Sequence, residues 1–272
     1  MNKKLLVLTL LLPLGAHAEN DDFVFAPGYM PAAGSGSVQF GVGTASTSQK
    51  FITPYGYTGT VEAEADSEQI AARYGITARD KVYASVAHRS RYDIKYTLDA
   101  GPEFDTQGPL KYNPALGYEH SFSAADSAFK VAASLDTGRN NAKPGANYVA
   151  PGMDFQYRTS PDLLLHASLD YAWYSNAAFA KSSGGAVGFE YRALPALTLA
   201  AGLAETRLEA TPTVSAHQDN SAGLAVHIEV LPGQYLSLGL TDAWRGSTRE
   251  QGWLFKNSSD GVGASVSYYI GF

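Results

Sequence analysis

The stretch LLLHASLDYAW carries His166, Ser168 and Asp170 at successive spacings of two, which puts all three on one face of an extended strand. A hydroxyl beside an imidazole on one face is the raw material of nucleophilic catalysis, with the histidine as base. The flanking residues argue against that use. Leu163, Leu165, Leu169 and Tyr171 form the opposite face, so a strand with one greasy side turns His166, Ser168 and Asp170 the other way. Across the other strands read below, the same polar face collects Arg73, Arg89, Lys111, Lys130, Arg158 and Arg192. Against them stand Glu119, Asp136, Asp154, Asp170, Glu190 and Glu229, with His166 and His227 between. Such mixed charge suits a hydrated constriction that selects solutes by charge arrangement. For any single residue, the mixed sign and near balance favour paired charges that merely satisfy one another in a narrow, partly blocked bore, while the belt as a whole argues for a hydrated interior.

Other chemistries find less support. The absence of cysteine removes disulfides, thiolate metal sites and a cysteine nucleophile together. A net charge of -6 without a basic stripe gives nucleic acid nothing to bind. Asp93, Asp99, Glu103 and Asp105 crowd the segment DIKYTLDAGPEFDTQG, but without the ligand spacing of a calcium loop, and read as a solvated acidic loop. No paired-carboxylate, phosphate-loop or metal motif is present, and neither a metal nor another cofactor is expected.

The elements that must position these residues repeat with a period of two. Val262, Ala264, Val266, Tyr268, Ile270 and Phe272 alternate with Gly263, Ser265, Ser267, Tyr269 and Gly271, and the same grammar recurs up the chain. The segments near 36–46, 67–77, 81–92, 110–121, 127–137, 147–158, 162–174, 178–192, 197–208, 219–230, 234–245 and 260–272 predict about twelve strands. Tight turns (TARD, FSAAD, TSPD, ALPA, LPGQ) alternate with longer polar segments at 47–66, 93–109, 138–146, 209–218 and 246–259, the short 174–178 link excepted. Short turns on one rim and long loops on the other predict an all-β fold, a closed antiparallel transmembrane β-barrel. Tyr74, Tyr118, Tyr157, Phe189 and Tyr191 fit an aromatic girdle at the turn rim, and Tyr171, Trp173 and Trp244 one at the loop rim. Twelve strands tilted by about 40° and spaced by about 4.8 Å give a backbone radius of about 12 Å, leaving a bore for small solutes only.

The N-terminus reads as an export signal. MNKK is positive, LLVLTLLLPL is apolar and GAHA ends in a small-x-small cleavage pattern, so residues 1–18 are expected to be removed after Ala18. The apolar run is too short to span a bilayer as a helix. Residues 19–35 then form either a periplasmic tail or a segment folded into the bore, and residues 36–272 the barrel.

Three resemblances bear on these expectations. The C-terminal strand, with Tyr268, Ile270 and Phe272 on its apolar face, resembles the signal by which Gram-negative outer-membrane barrels are recognised for assembly. That implies periplasmic chaperones and the barrel assembly machinery as partners, with outer-membrane lipid and lipopolysaccharide around the finished barrel. The stretches ARYGITARDKVYASVAH, NPALGYEHSF and AFKVAASLDTG resemble the outer-membrane barrels named after the meta-pathway of phenol degradation. This implies a channel or transport role in the uptake of small organic compounds, aromatic ones among them. Taken with the strand pattern, the expectation is a monomeric outer-membrane channel for passive passage of small solutes. The His166-x-Ser168 pair resembles that of outer-membrane phospholipases and lipid A deacylases, which implies a lipid hydrolase. Here Leu169 replaces the asparagine that follows the pair in those enzymes, and the pair faces away from lipid, so no enzymatic role is expected. A closed barrel serving surface interactions through its loops is the remaining alternative.

Overall fold

The computed structural model describes residues 23–108, 111–124, 126–140, 146–256 and 261–272, and the leader expected at residues 1–18 lies outside them. All regular structure among the described residues is β. In chain order the first strands are β1 (Gly36–Ile52), β2 (Thr58–Gly75), β3 (Asp80–Leu98), β4 (Glu103–Gln107) and β5 (Lys111–Ser121). There follow β6 (Phe129–Asn140), β7 (Ala146–Ser160), β8 (Leu163–Tyr174), β9 (Ser182–Leu194) and β10 (Leu197–Leu208). The last are β11 (His217–Leu231), β12 (Gln234–Arg245), β13 (Thr248–Glu250), β14 (Trp253–Phe255) and β15 (Gly261–Gly271).

Twelve of these close a ring, each antiparallel to its neighbours, with β1 paired to β2 on one side and to β15 on the other. Phe40 shows the closure: it stands opposite Ile70 of β2 and Tyr268 of β15. At the seam the backbones of Gly36 and Phe272 exchange two hydrogen bonds of 2.8 Å. The lipid-facing phase is the one the alternation predicts. Leu224, Leu203 and Val42 leave 64%, 58% and 58% of their surface uncovered, so they are no core of this chain. They belong to a continuous apolar belt that water would not tolerate and hydrocarbon solvates. Tyr74, Tyr118, Tyr157, Phe189 and Tyr191 stand exposed toward the tight turns, and Trp173 and Trp244 toward the loops.

The polar segments at the loop end differ from expectation. Between 47 and 66 the strands stay paired up to Ile52 and Thr58, leaving only 53–57 as a turn. In 93–109, β3 continues to Leu98 and β4 folds back on it. Within 246–259, β13 and β14 form a small hairpin, and Phe255 pairs with Phe51 of β1. Both faces of these extensions meet water, which erases the greasy-polar alternation by which strands are recognised, while backbone pairing continues unaffected. A bulge at Ser90, where Asp66 pairs with Arg91 and Ser67 with Arg89, marks the change of regime. Beyond it the β2–β3 wall turns charged, with Arg91 bridging Glu64 at 2.5 Å and Lys95 bridging Glu103 at 3.0 Å.

Leu203 sits mid-strand on the lipid side, whereas Gln69 faces the interior. Leu203→Arg is expected to cost about 2–4 kcal/mol in urea unfolding from lipid vesicles. Gln69→Arg should leave the same transition within experimental error.

Candidate lumenal site

Residues 23–31 lie inside the ring. They touch side chains from β2, β3, β7, β9, β11, β12 and β15, and only the interior of a closed barrel reaches all of these at once. The sequence left a loose tail or an inserted segment open. What decides is the apolar content of FVFAPGYMP, which has no period to make a strand and needs cover. Phe23 and Ala26 pack on Leu164, and Val24 and Tyr29 on Tyr269.

The wall receives the segment through its carbonyls and rings. Arg73 donates to the Val24 carbonyl at 3.2 Å, Gln156 to that of Pro27 at 2.5 Å and Lys81 to that of Tyr29 at 2.5 Å. The guanidinium groups of Arg158 and Arg192 stand over the Phe23 ring at 5.1 and 5.6 Å, within cation–π range. Phe25 stacks on the His227 imidazole at 4.0 Å and 11°. The other side of that imidazole is held by Ser237, with Nδ1 and Oγ 2.9 Å apart. Gly75 must be bare, because a Cβ there would come within 2.3 Å of the Ala32 carbonyl oxygen. Between Phe23, Lys130, Gln156 and Arg158 a void of only about 10 Å³ remains, at the limit for a single water.

The predicted residues therefore divide. Arg73, Arg158, Arg192 and His227 gather round the inserted segment, with Lys130 bordering the small void. Glu119 joins them through Lys81, 2.8 Å away, in an ion pair buried on both sides. Glu190 is buried at the same level, with one carboxylate oxygen unpartnered. His166 lies across the bare Cα of Gly188, and its Nδ1 also lacks a hydrogen-bond partner. Ser168 and Asp170 border an open cavity higher up, as do Asp136 and Asp154. A Cβ added at Gly28 of the inserted segment would come within 3.0 Å of the Asp154 Cβ, so the two lie side by side. Glu229 does not join the group. Its carboxylate accepts the Gly233 amide at 3.0 Å and ties off the β11–β12 turn. Arg89 is drawn aside over the Tyr92 ring, 4.4 Å from its centroid, and the Lys111 side chain lies outside the described set. At the seam Tyr268 and Ile270 face outward, and the Phe272 ring lies against Gly36.

Lys81 and Gln156 went unrecognised in the sequence although both have inward parity. Lys81 opens its strand beside the TARD turn, where a lysine reads as a solvated turn residue. Tyr83, Tyr148 and Tyr174 also have inward parity, although an aromatic near a strand end reads by type as a girdle residue. Parity applied to every position of the segments 81–92, 147–158 and 162–174 turns all five inward.

No protein-family model matches the sequence, and no curated protein matches it. Solved structures do match the fold. An outer membrane channel of Pseudomonas putida F1 superposes with a TM-score of 0.61 at 13% identity, over 93% of this chain and 100% of that one. The KdgM porin, solved in complex with disordered oligogalacturonate, gives 0.57 at 7% identity, over 87% and 99%. The chain thus has the fold of an outer-membrane β-barrel.

Lys81 both compensates Glu119 and holds Tyr29. Lys81→Gln should destabilise the barrel by about 3–5 kcal/mol in denaturant unfolding, because it strands a buried carboxylate. The Lys81→Gln/Glu119→Gln double variant should recover most of that loss.

Proposed function

We propose that the protein is an outer-membrane channel for passive passage of small solutes, closed on its periplasmic side by residues 23–31 in the state described above. The observation that carries this reading is a polar, partly open interior inside a lipid-facing cylinder: about 540 Å³ of free space lies above the inserted segment, while about 10 Å³ remains at one side of it. A wall built only for rigidity has no use for such a cavity. The shared fold with a channel of Pseudomonas putida F1 and with the KdgM porin supports the same reading. So does the resemblance to the meta-pathway barrels, from which small organic compounds follow as the solute class. Assembly would proceed through the C-terminal strand, with Tyr268, Ile270 and Phe272 read by the assembly machinery.

A segment held by carbonyl hydrogen bonds and ring contacts, without a covalent tie, is suited to withdrawal. The Arg73, Lys81 and Gln156 bonds end on backbone carbonyls, each worth about 0.5–3 kcal/mol net depending on the charge of its donor. The competing reading, a closed barrel acting through its loops, draws on the filled turn end. His166 and Ser168 face the interior rather than the bilayer, which takes them away from any lipid substrate.

Planar-bilayer recording tests the proposal. The intact protein should show small discrete conductance steps. Deletion of residues 19–31 should raise unit conductance several-fold, and liposome swelling with small sugars should quicken in parallel. Silence from both forms would establish the closed barrel instead.

A further inference from the structure

The cations and anions of the interior are not used alike. Arg73 and Lys81 spend their donors on the inserted segment, Lys81 also neutralises Glu119, and Arg158 and Arg192 cover Phe23. Asp136, Asp154 and Asp170, from the adjacent strands β6, β7 and β8, line the open cavity above, whose described lining holds neither lysine nor arginine. Three tyrosines complete the wall: Tyr83, Tyr148 and Tyr174.

This wall is built, and it is more than a clustering of acids. The Tyr83 ring lies flat over Gly117 of β5, where an added Cβ would come within 2.2 Å of it. The Tyr148 ring likewise crosses Gly138 of β6, with an added Cβ only 2.6 Å from its hydroxyl. Any larger residue at these glycines would lift the rings into the bore. The Asp136 carboxylate crowds the same bare glycine, with Oδ1 within 2.4 Å of a Cβ added at Gly117, which sets it beside the Tyr83 ring against the wall. Tyr148 and Tyr174 meet with centroids 5.8 Å apart at 47°, presenting two tilted π surfaces beside Asp170. A volume of about 540 Å³ lies within the range of small-molecule sites.

We propose that this cavity is a binding site for small organic cations, an ammonium group among Asp136, Asp154 and Asp170 with its apolar body against Tyr148 and Tyr174. The inference rests on the channel reading and names its solute class. An ammonium offers what the wall lacks, positive charge and N–H donors, and the tyrosine faces attract it further through their quadrupoles. A carboxylate solute of the same size meets three like charges in a narrow, poorly screened space and is turned away.

The test uses benzylammonium as probe, with benzoate and benzyl alcohol as isosteric controls. In calorimetry on the detergent-solubilised barrel, benzylammonium should bind and benzoate should not. Asp136→Asn/Asp154→Asn/Asp170→Asn should weaken benzylammonium binding by about tenfold or more, with folding of the variant verified by its heat-modifiable mobility. Tyr174→Leu, which keeps all three carboxylates, should weaken benzylammonium more than it weakens methylammonium. In bilayers under a KCl gradient, the reversal potential should report preference for K⁺ and move toward zero in the triple variant. Equal binding of benzoate and benzylammonium, or undiminished binding by the triple variant, overturns the cation site while leaving conduction intact. Selective benzylammonium binding by a barrel that is silent in the bilayer would uphold the site and overturn the channel.

Discussion

Hydrocarbon offers a backbone amide no partner. An unpaired N–H or C=O at membrane depth costs several kcal/mol, so a sheet that crosses a bilayer must end where it begins. In this chain that demand falls on the seam between β1 and β15, which runs from Ser37↔Gly271 to Ser46↔Val262 and is finished by the reciprocal bonds of Gly36 and Phe272. Every other property depends on that closure. It turns alternate residues inward on twelve strands, and it leaves the outward set free to be as apolar as Leu203 and Leu224.

Closure also creates an interior that something must fill. At the tight-turn end the filling is residues 23–31, which offer carbonyls to Arg73 and Lys81 and the Phe23 ring to Arg158 and Arg192, while Lys81 also pairs with Glu119. The lumenal carboxylates further up are left facing water and the tyrosines. An interior balanced in composition thus becomes unbalanced in space. Electrostatic selectivity depends on this local arrangement and hardly at all on the sum of charges.

The parity of the strands was legible because its physical cause acts on every second residue. Lipid outside and water inside impose opposite preferences, and Leu163, Leu165 and Leu169 against His166, Ser168 and Asp170 record both in a few positions. The same cause explains where the reading ran out. Above the membrane both faces of β1 and β2 are wet, so Thr47, Ser48 and Gln49 look like a loop although they are paired in register with β2. The inward tyrosines were hidden for a related reason: an aromatic facing the bore is recognisable only when the glycine beneath it is known. Tyr83 over Gly117 and Tyr148 over Gly138 are contacts between neighbouring strands, separated by tens of residues in the chain.

What the residues by themselves determined is the fold class, the strand phase and the assignment of His166, Asp170, Glu190 and their neighbours to the interior. Each of these follows from a short-range pattern that solvent imposes on a single strand. Tertiary structure alone decided that residues 23–31 lie in the bore, that Glu229 belongs to a turn, and that Lys81 stands between Glu119 and Tyr29. It also decided that Asp136, Asp154 and Asp170 share one open cavity. These outcomes depend on which strands become neighbours across a closed ring and on what residues 23–31 meet there. No period along the chain carries that information, because the contacts form between residues that the chain itself keeps far apart.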